Sequence, residues 1–310
     1  MELRTLAAPA LCDLEVSVVG LGCNSFGARC DAAETRAVVH KALDCGINFF
    51  DTANSYGGDG TSEDYMGRAL EGRRHEFVLA TKFGYFQTRK TGGGGGGRDL
   101  ILDAVEASLR RLRTDYIDLY QHHLPDPDTP IEETLAALDG LVRSGKVRFI
   151  GCSNLSGAEM GAAMAVSADQ GFAPFATAQN QYNLLDRQIE ADLMPVCQKH
   201  GIGIIPYRPL AAGLLTGKYR RGKPPPPDAR ISAGNLAGAD FDTVEALQTF
   251  AADHGHTLAE LAMSWLAAQP CVTSVIAGVR TPDQVEMNAK AADWKLSGDE
   301  LAEIARLIDD

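Results

Sequence analysis

Tyr116-Ile-Asp-Leu-Tyr-Gln-His-His123, then Ile131-Glu-Glu-Thr-Leu-Ala-Ala-Leu-Asp-Gly-Leu-Val142, then Phe149-Ile-Gly-Cys-Ser-Asn154 follow one another closely in the chain. The outer two segments are short, apolar and β-prone. The middle one repeats Ile131, Leu135, Leu138 and Val142 at helical spacing, with Pro130 suited to its first turn. A strand, a helix and a strand in that order make a unit whose two strands lie parallel. The same alternation extends outward. Strands are expected at Val16–Cys23, Asn48–Ala53 and Phe77–Lys82 on one side, and at Thr177–Tyr182, Gly203–Pro209 and Thr273–Gly278 on the other. Asp31 with Glu34 forms a capping box for the first helix, and Ser62 is placed to cap the second. Eight strands, evenly spaced through the seventh, predict an α/β chain closed into a (β/α)8 TIM barrel. No internal break divides it, so a single domain over residues 1–310 is expected.

Composition fits that size of core. Hydrophobic residues make up 45% and charged residues 23%, close to the globular average. The net charge of −12 argues against partners such as nucleic acid or an anionic membrane, which need a basic face. Glu2, Arg4 and Asp13 break any signal-peptide pattern, and no run approaches the ~20 apolar residues of a membrane span. Seven cysteines lie scattered with no C-x-x-C pair, which predicts reduced thiols, no metal site and a cytoplasmic location. Two low-complexity stretches, Gly92–Gly97 and Pro224–Pro227, follow the third and seventh strands. They are either idle surface loops or parts of the barrel mouth, where active sites are built. For the glycine run this means a mobile lip or lid as the functional alternative.

Four polar residues meet at that mouth. Asp51, Lys82 and His123 end the second, third and fourth strands, and Tyr56 lies in the loop after the second. Any one of them has a plain structural explanation; the set suits carbonyl reduction. That reaction needs a hydride donor and a proton for the oxygen. A phenol with a pKa of about 10 is protonated at neutral pH and can donate. A lysine ammonium beside it stabilises the phenolate that forms, an aspartate orients the ammonium, and an imidazole positions the carbonyl. No metal or covalent nucleophile is required.

These residues sit in motifs that resemble the aldo-keto reductases. Asn48-Phe-Phe-Asp-Thr-Ala-Asn-Ser-Tyr56-Gly is similar to the family's aspartate–tyrosine signature. Ala80-Thr-Lys82 resembles its lysine strand, Asp115-Tyr-Ile-Asp-Leu-Tyr-Gln-His-His123 its histidine strand, and Gly145-Lys-Val-Arg-Phe-Ile-Gly-Cys-Ser-Asn154 a further motif. Similarity runs from about Val18 to the C-terminal helix, and is greatest to the bacterial branch related to potassium-channel β subunits. The resemblance makes Asp51, Tyr56, Lys82 and His123 the catalytic set. His122 then turns the other way, toward the surrounding helices, since adjacent strand residues face opposite sides.

The resemblance also implies an NADPH/NADP+ site. Gly20-Leu-Gly22 begins like a dinucleotide fingerprint, but Ser25 stands where the third glycine belongs. Instead, Ser153, Asn154 and Gln179 are expected at the nicotinamide carboxamide, with Tyr207 stacked on the ring. Pro209, Leu210, Gly213, Leu215, Gly217 and Lys218 form the family's pyrophosphate loop, with Arg208 where serine is usual. Gly278, Arg280, Gln284 and Asn288 match its adenosine-phosphate segment, with Met287 at a common glutamate position. The substrate implied is a small carbonyl compound; no oligomeric state is indicated. A rival reading is a cofactor-binding redox sensor or protein-interaction subunit with little turnover. A short-chain dehydrogenase lacks support, since there is no Tyr-x-x-x-Lys pair, and a barrel hydrolase would need a metal cluster or paired carboxylates.

Overall fold

The computed structural model describes residues 1–85, 90, 93, 95–225 and 231–309. Ten strands are found among them: β1 Leu3–Thr5, β2 Glu15–Ser17, β3 Val19–Gly22, β4 Phe49–Asp51, β5 Val78–Phe83, β6 Ile117–His122, β7 Val147–Ser153, β8 Phe175–Gln179, β9 Gly203–Ile204 and β10 Val275–Gly278. The last eight form one parallel sheet in the order β10-β3-β4-β5-β6-β7-β8-β9. Its two edges join. Ile204 N–H donates to Cys271 O, Thr273 N–H to Ile204 O, and Ile276 N–H to Pro206 O, all within 3.0 Å. The barrel is therefore closed and leaves no free sheet edge.

Helices cover its outside, including Ala32–Asp44, Ile131–Arg143 and Pro282–Lys290. The Asp31–Glu34 capping box forms. Ser62 does not cap. It lies inside the helix Thr61–Ala69, after Gly60, and its hydroxyl donates to Cys23 O, tying the helix to β3. Between the sheet and the helices lies one large apolar cluster that includes Phe50, Tyr120, Leu135 and Leu138.

Two strands differ most from the sequence reading. Val16–Cys23 divides at Val18, because Ser17 pairs with Leu3 in the antiparallel β1–β2 hairpin while Val19 joins the barrel. That hairpin was not expected. Its connecting segment, with Leu6, Cys12 and Leu14, and Val16 of β2 pack against Phe49, Val78, Leu119, Ile205 and Ile276, closing one end of the barrel. The ninth strand stops at Ile204 rather than Pro209, since Pro206 and Pro209 carry no N–H for a ladder; only an isolated bridge, Gln181 to Tyr207, continues the pairing.

Of the two low-complexity stretches, residues 92, 94, 226 and 227 lie outside the described residues, so the question of a glycine lip or lid falls largely outside them too. Gly96 is anchored: its N–H donates to Asp126 Oδ2 at 2.7 Å and its carbonyl accepts from Thr134 Oγ1 at 2.8 Å. No helix among the described residues is long and apolar enough to cross a membrane. All seven cysteines are free thiols.

Candidate active site

Period-two alternation delivers the polar groups to the barrel's C-terminal mouth. Phe49 faces the interior on β4 and Asp51 follows two residues later; Ala80 and Lys82 repeat this on β5, and Leu119 and Gln121 on β6. Lys82 is fully buried, and its three N–H donors all find acceptors: Asp51 Oδ2 at 2.6 Å, Thr52 O at 3.0 Å and Tyr56 OH at 3.2 Å. Burial alone would depress the lysine pKa. The neighbouring Asp51 and Tyr56 outweigh it, and the net shift is upward, so the ammonium stays charged.

Tyr56 reaches this ammonium from a tight turn. Its N–H donates to Ala53 O, its carbonyl accepts from Ser62 N–H, and Gly57 follows at φ 73°, where a Cβ would press on Phe26 O. Burial raises the Tyr56 pKa above the ordinary phenol value, with Lys82 pulling against it. The phenol is thus protonated at neutral pH. His123, just past β6, stands edge-on to Tyr56 with ring centroids 5.8 Å apart, and burial holds its pKa well below the usual value. It is a neutral imidazole. His122 points elsewhere, stacked on Phe83 at 5.1 Å.

A second set adjoins the first. Asn154, at φ 65°, donates from Nδ2 to His123 O and Ser153 Oγ, and its Oδ1 accepts from Tyr207 OH at 2.7 Å. Ser153 Oγ donates to Gln179 O. The Gln179 amide reaches back to Asp51 Oδ1 at 3.0 Å. Asp51, Tyr56, Lys82, His123, Ser153, Asn154, Gln179 and Tyr207 therefore form one connected cluster.

The remaining candidates lie along two further segments. Ala211–Thr216 is a distorted 3-10 stretch in which Ala211, Ala212 and Gly213 have positive φ, with Pro209 and Leu210 before it and Gly217 and Lys218 after. The Leu215 side chain is fully buried in the core, which leaves only its backbone for a ligand. A Cβ at Gly213 would crowd Lys218 Cε at 3.0 Å, so the glycine lets the lysine fold over the loop. Past β10, which ends at Gly278, the helix Pro282–Lys290 opens with Thr281 as its cap. There the Arg280 N–H donates to Gln284 Oε1 at 2.8 Å. Asn288 lies on this helix, half-buried, and Met287 beside it is exposed.

These segments fit a dinucleotide. From Tyr207 to Lys223 the chain carries Arg208, Lys218, Arg220, Arg221 and Lys223 and no carboxylate, in a protein of net charge −12. Loop amides, basic side chains and a helix N-terminus favour bound phosphate. The half-buried Tyr207 ring offers a flat surface.

The sequence reading missed two members. Gln121 is fully buried and donates to Asp51 Oδ1 at 3.0 Å; its place two residues before His123 was the available signal. Tyr85 lies against His123 with ring centroids 4.8 Å apart. It follows the end of β5, where strand periodicity no longer points.

A closed barrel with a lysine-backed tyrosine at the mouth suits an oxidoreductase of the barrel type. Comparison with known sequences agrees: the aldo/keto reductase family pattern matches residues 18–309, and the chain belongs to that family. It is similar to an L-glyceraldehyde 3-phosphate reductase of Escherichia coli K12, with 35% identity over 96% of this chain and 90% of the relative. It is 34% identical to a probable voltage-gated potassium channel subunit beta of Arabidopsis thaliana, over 90% and 88% of the two chains. The aldo-keto reductase YhdN of Bacillus subtilis is 33% identical over 96% and 91%. Carbonyl reduction with a nicotinamide cofactor is the general chemistry of the family.

Proposed function

We propose that this chain reduces aldehydes or ketones with NADPH, with Tyr56 as the proton donor. The observation that carries the reading is the buried chain of contacts from Asp51 through Lys82 to the Tyr56 hydroxyl. The reduced nicotinamide supplies the hydride when bound. Ser153, Asn154 and Gln179 are assigned to its carboxamide and Tyr207 to its ring. Pro209, Leu210, Gly213, Leu215, Gly217 and Lys218 are assigned to the pyrophosphate, and Gly278, Arg280, Gln284 and Asn288 to the adenosine end. As the carbonyl oxygen gains charge, Tyr56 passes it a proton. The Lys82 ammonium, held by Asp51, stabilises the phenolate left behind. Neutral His123 orients the oxygen by hydrogen bonding.

Tyr56→Phe removes only the donor. Its kcat with an aldehyde should fall by roughly 10²–10⁴-fold while cofactor affinity changes little. Retention of more than about a tenth of wild-type kcat would remove Tyr56 from this role. Because its pKa is raised, the donor form persists through neutral pH, and turnover should decline only above about pH 10.

The similarity to channel β subunits favours a second reading, a cofactor-binding sensor or interaction subunit. Cofactor binding with negligible turnover across aldehydes, ketones, sugars and quinones would support it. Steady turnover with any of them supports the reductase.

A further inference from the structure

Asp51 divides its two carboxylate oxygens between unlike partners. Oδ2 takes the Lys82 ammonium, whereas Oδ1 accepts two uncharged amides, Gln121 Nε2 and Gln179 Nε2, each at 3.0 Å. The amides also meet each other, with Gln179 Nε2 lying 3.5 Å from Gln121 Oε1. None of these four side chains is more than 3% exposed. A buried amide is costly unless both of its ends are bonded, and Gln121 has both ends bonded. Its partners also fix its orientation, since an ionised carboxylate only accepts. Nε2 must face Asp51 and Oε1 must face Gln179. Gln179 Nε2 is then committed to Asp51 and Gln121, so Oε1 is the atom that Gln179 presents to any further group.

The neighbouring backbone leaves room for this. Gln121 sits in register with Lys82 on β5 and with Gly151 on β7. A Cβ at Gly151 would collide with Thr177 Oγ1 and stand 3.3 Å from Gln121 Cγ. The glycine admits both side chains.

We propose that Gln121 is a positioning residue for carbonyl reduction: its amide joins Asp51 to Gln179, so that the Asp51–Lys82–Tyr56 set and the Gln179 acceptor oxygen are held as one unit. The proposal rests on the reductase reading of the site. The titratable groups there are Asp51 from β4, Lys82 from β5, Tyr56, His123 and, at the end of β3, Cys23. From β7 and β8 come the uncharged Gly151, Ser153, Thr177 and Gln179.

Two substitutions test it. Gln121→Met keeps the volume and removes both hydrogen bonds. Gln121→Glu keeps an acceptor for Gln179 and, while protonated, a donor for Asp51. Beside Asp51 the introduced carboxyl is raised above the ordinary value of about 4.3 by like-charge repulsion. Gln121→Met should lose about tenfold or more in kcat at every pH from about 5 to about 9, with the KM for the carbonyl changed less than about twofold; this is a part of the general-acid contribution. Gln121→Glu should stay within about threefold of wild type at low pH and fall to the methionine level as pH rises. Neither of the other two proteins should show that limb.

Melting of the cofactor-free protein gives a readout independent of turnover. A carboxyl raised in the folded state contributes stability below its unfolded pKa and loses it as pH climbs toward the folded value. The Tm of Gln121→Glu should therefore drop relative to Gln121→Met as pH rises above about 4.3. A methionine variant within about twofold of wild-type kcat, or a glutamate variant whose kcat and relative Tm do not change with pH, overturns the proposal. Absence of turnover in the wild type overturns the reductase reading instead; turnover in the wild type with unmoved variants overturns only the role of Gln121.

Discussion

His122 and His123 are neighbours in sequence and opposites in environment. His123 faces Tyr56 and Tyr85 at the mouth, while His122 lies under Phe83 with ring planes 11° apart and is 2% exposed. Neither His122 ring nitrogen has a hydrogen-bond partner among the described residues. Burial pushes its pKa down to about 4, with Asp126 pulling the other way. The folded protein thus resists a proton that the unfolded chain takes up near pH 6.5. Stability from the buried neutral ring is complete above about pH 6.5 and is lost as pH falls toward about 4, a difference on the order of 3 kcal/mol. His122→Phe keeps the ring and removes the titration. In urea unfolding across that window, the phenylalanine variant should lose less stability than wild type by about that amount. Parallel losses would show that His122 is not the acid-sensitive group. His123 is depressed as well, so some acid sensitivity remains in the variant.

Among the elements, the β1–β2 hairpin has the least sequence signal and a clear mechanical role. It is short and sits at the start of the chain, yet Leu6 is fully buried against the barrel's interior layer. A Cβ at Gly203 would collide with the Leu6 carbonyl, which shows how closely hairpin and β9 approach. Leu6→Ala leaves a cavity under the barrel floor and should cost about 2–5 kcal/mol. Because Asp51 and Lys82 lie at the far ends of their strands, kcat of the folded variant should match wild type. A denaturant midpoint equal to wild type would mean that the hairpin is only laid against the barrel. The barrel strands were legible because burial on both faces writes them as unbroken apolar runs. The hairpin was not, since three-residue strands carry too few positions for a period to show. Val16–Cys23 was read as one strand because nothing local marks the change of partner at Val18. Ser62 looked like a cap, but its hydroxyl is spent on Cys23 O and Thr52.

Across the whole molecule, the chemistry was more legible than its support. Asp51, Lys82 and His123 each end a strand run, so sequence position alone gathered them at one mouth. Gln121 and Tyr85 were invisible by that rule, one looking like an interior strand residue and the other lying beyond the strand. Charge tells a similar story at larger scale. A net charge of −12 repels a cofactor carrying several phosphate charges, so binding must rely on local basic groups. The two nicotinamide cofactors differ by one phosphate on the adenosine ribose, and the function proposed above assigns Arg280, between β10 and the helix opening at Pro282, to that end of the cofactor. A guanidinium presents a planar fork to phosphate, and the helix N-terminus adds to the favourable potential. One charged hydrogen bond contributes about 1.5–3 kcal/mol, or roughly 10- to 150-fold in affinity. Arg280→Ala should therefore weaken NADPH binding by about tenfold or more and leave NADH almost unchanged. Raising the salt concentration should erode the wild-type preference and have less effect in the variant, because screening acts on the same charge pair. Titrating both cofactors into both proteins at two ionic strengths gives the measurement. Equal losses of NADPH and NADH on substitution would place the phosphate recognition elsewhere on the barrel.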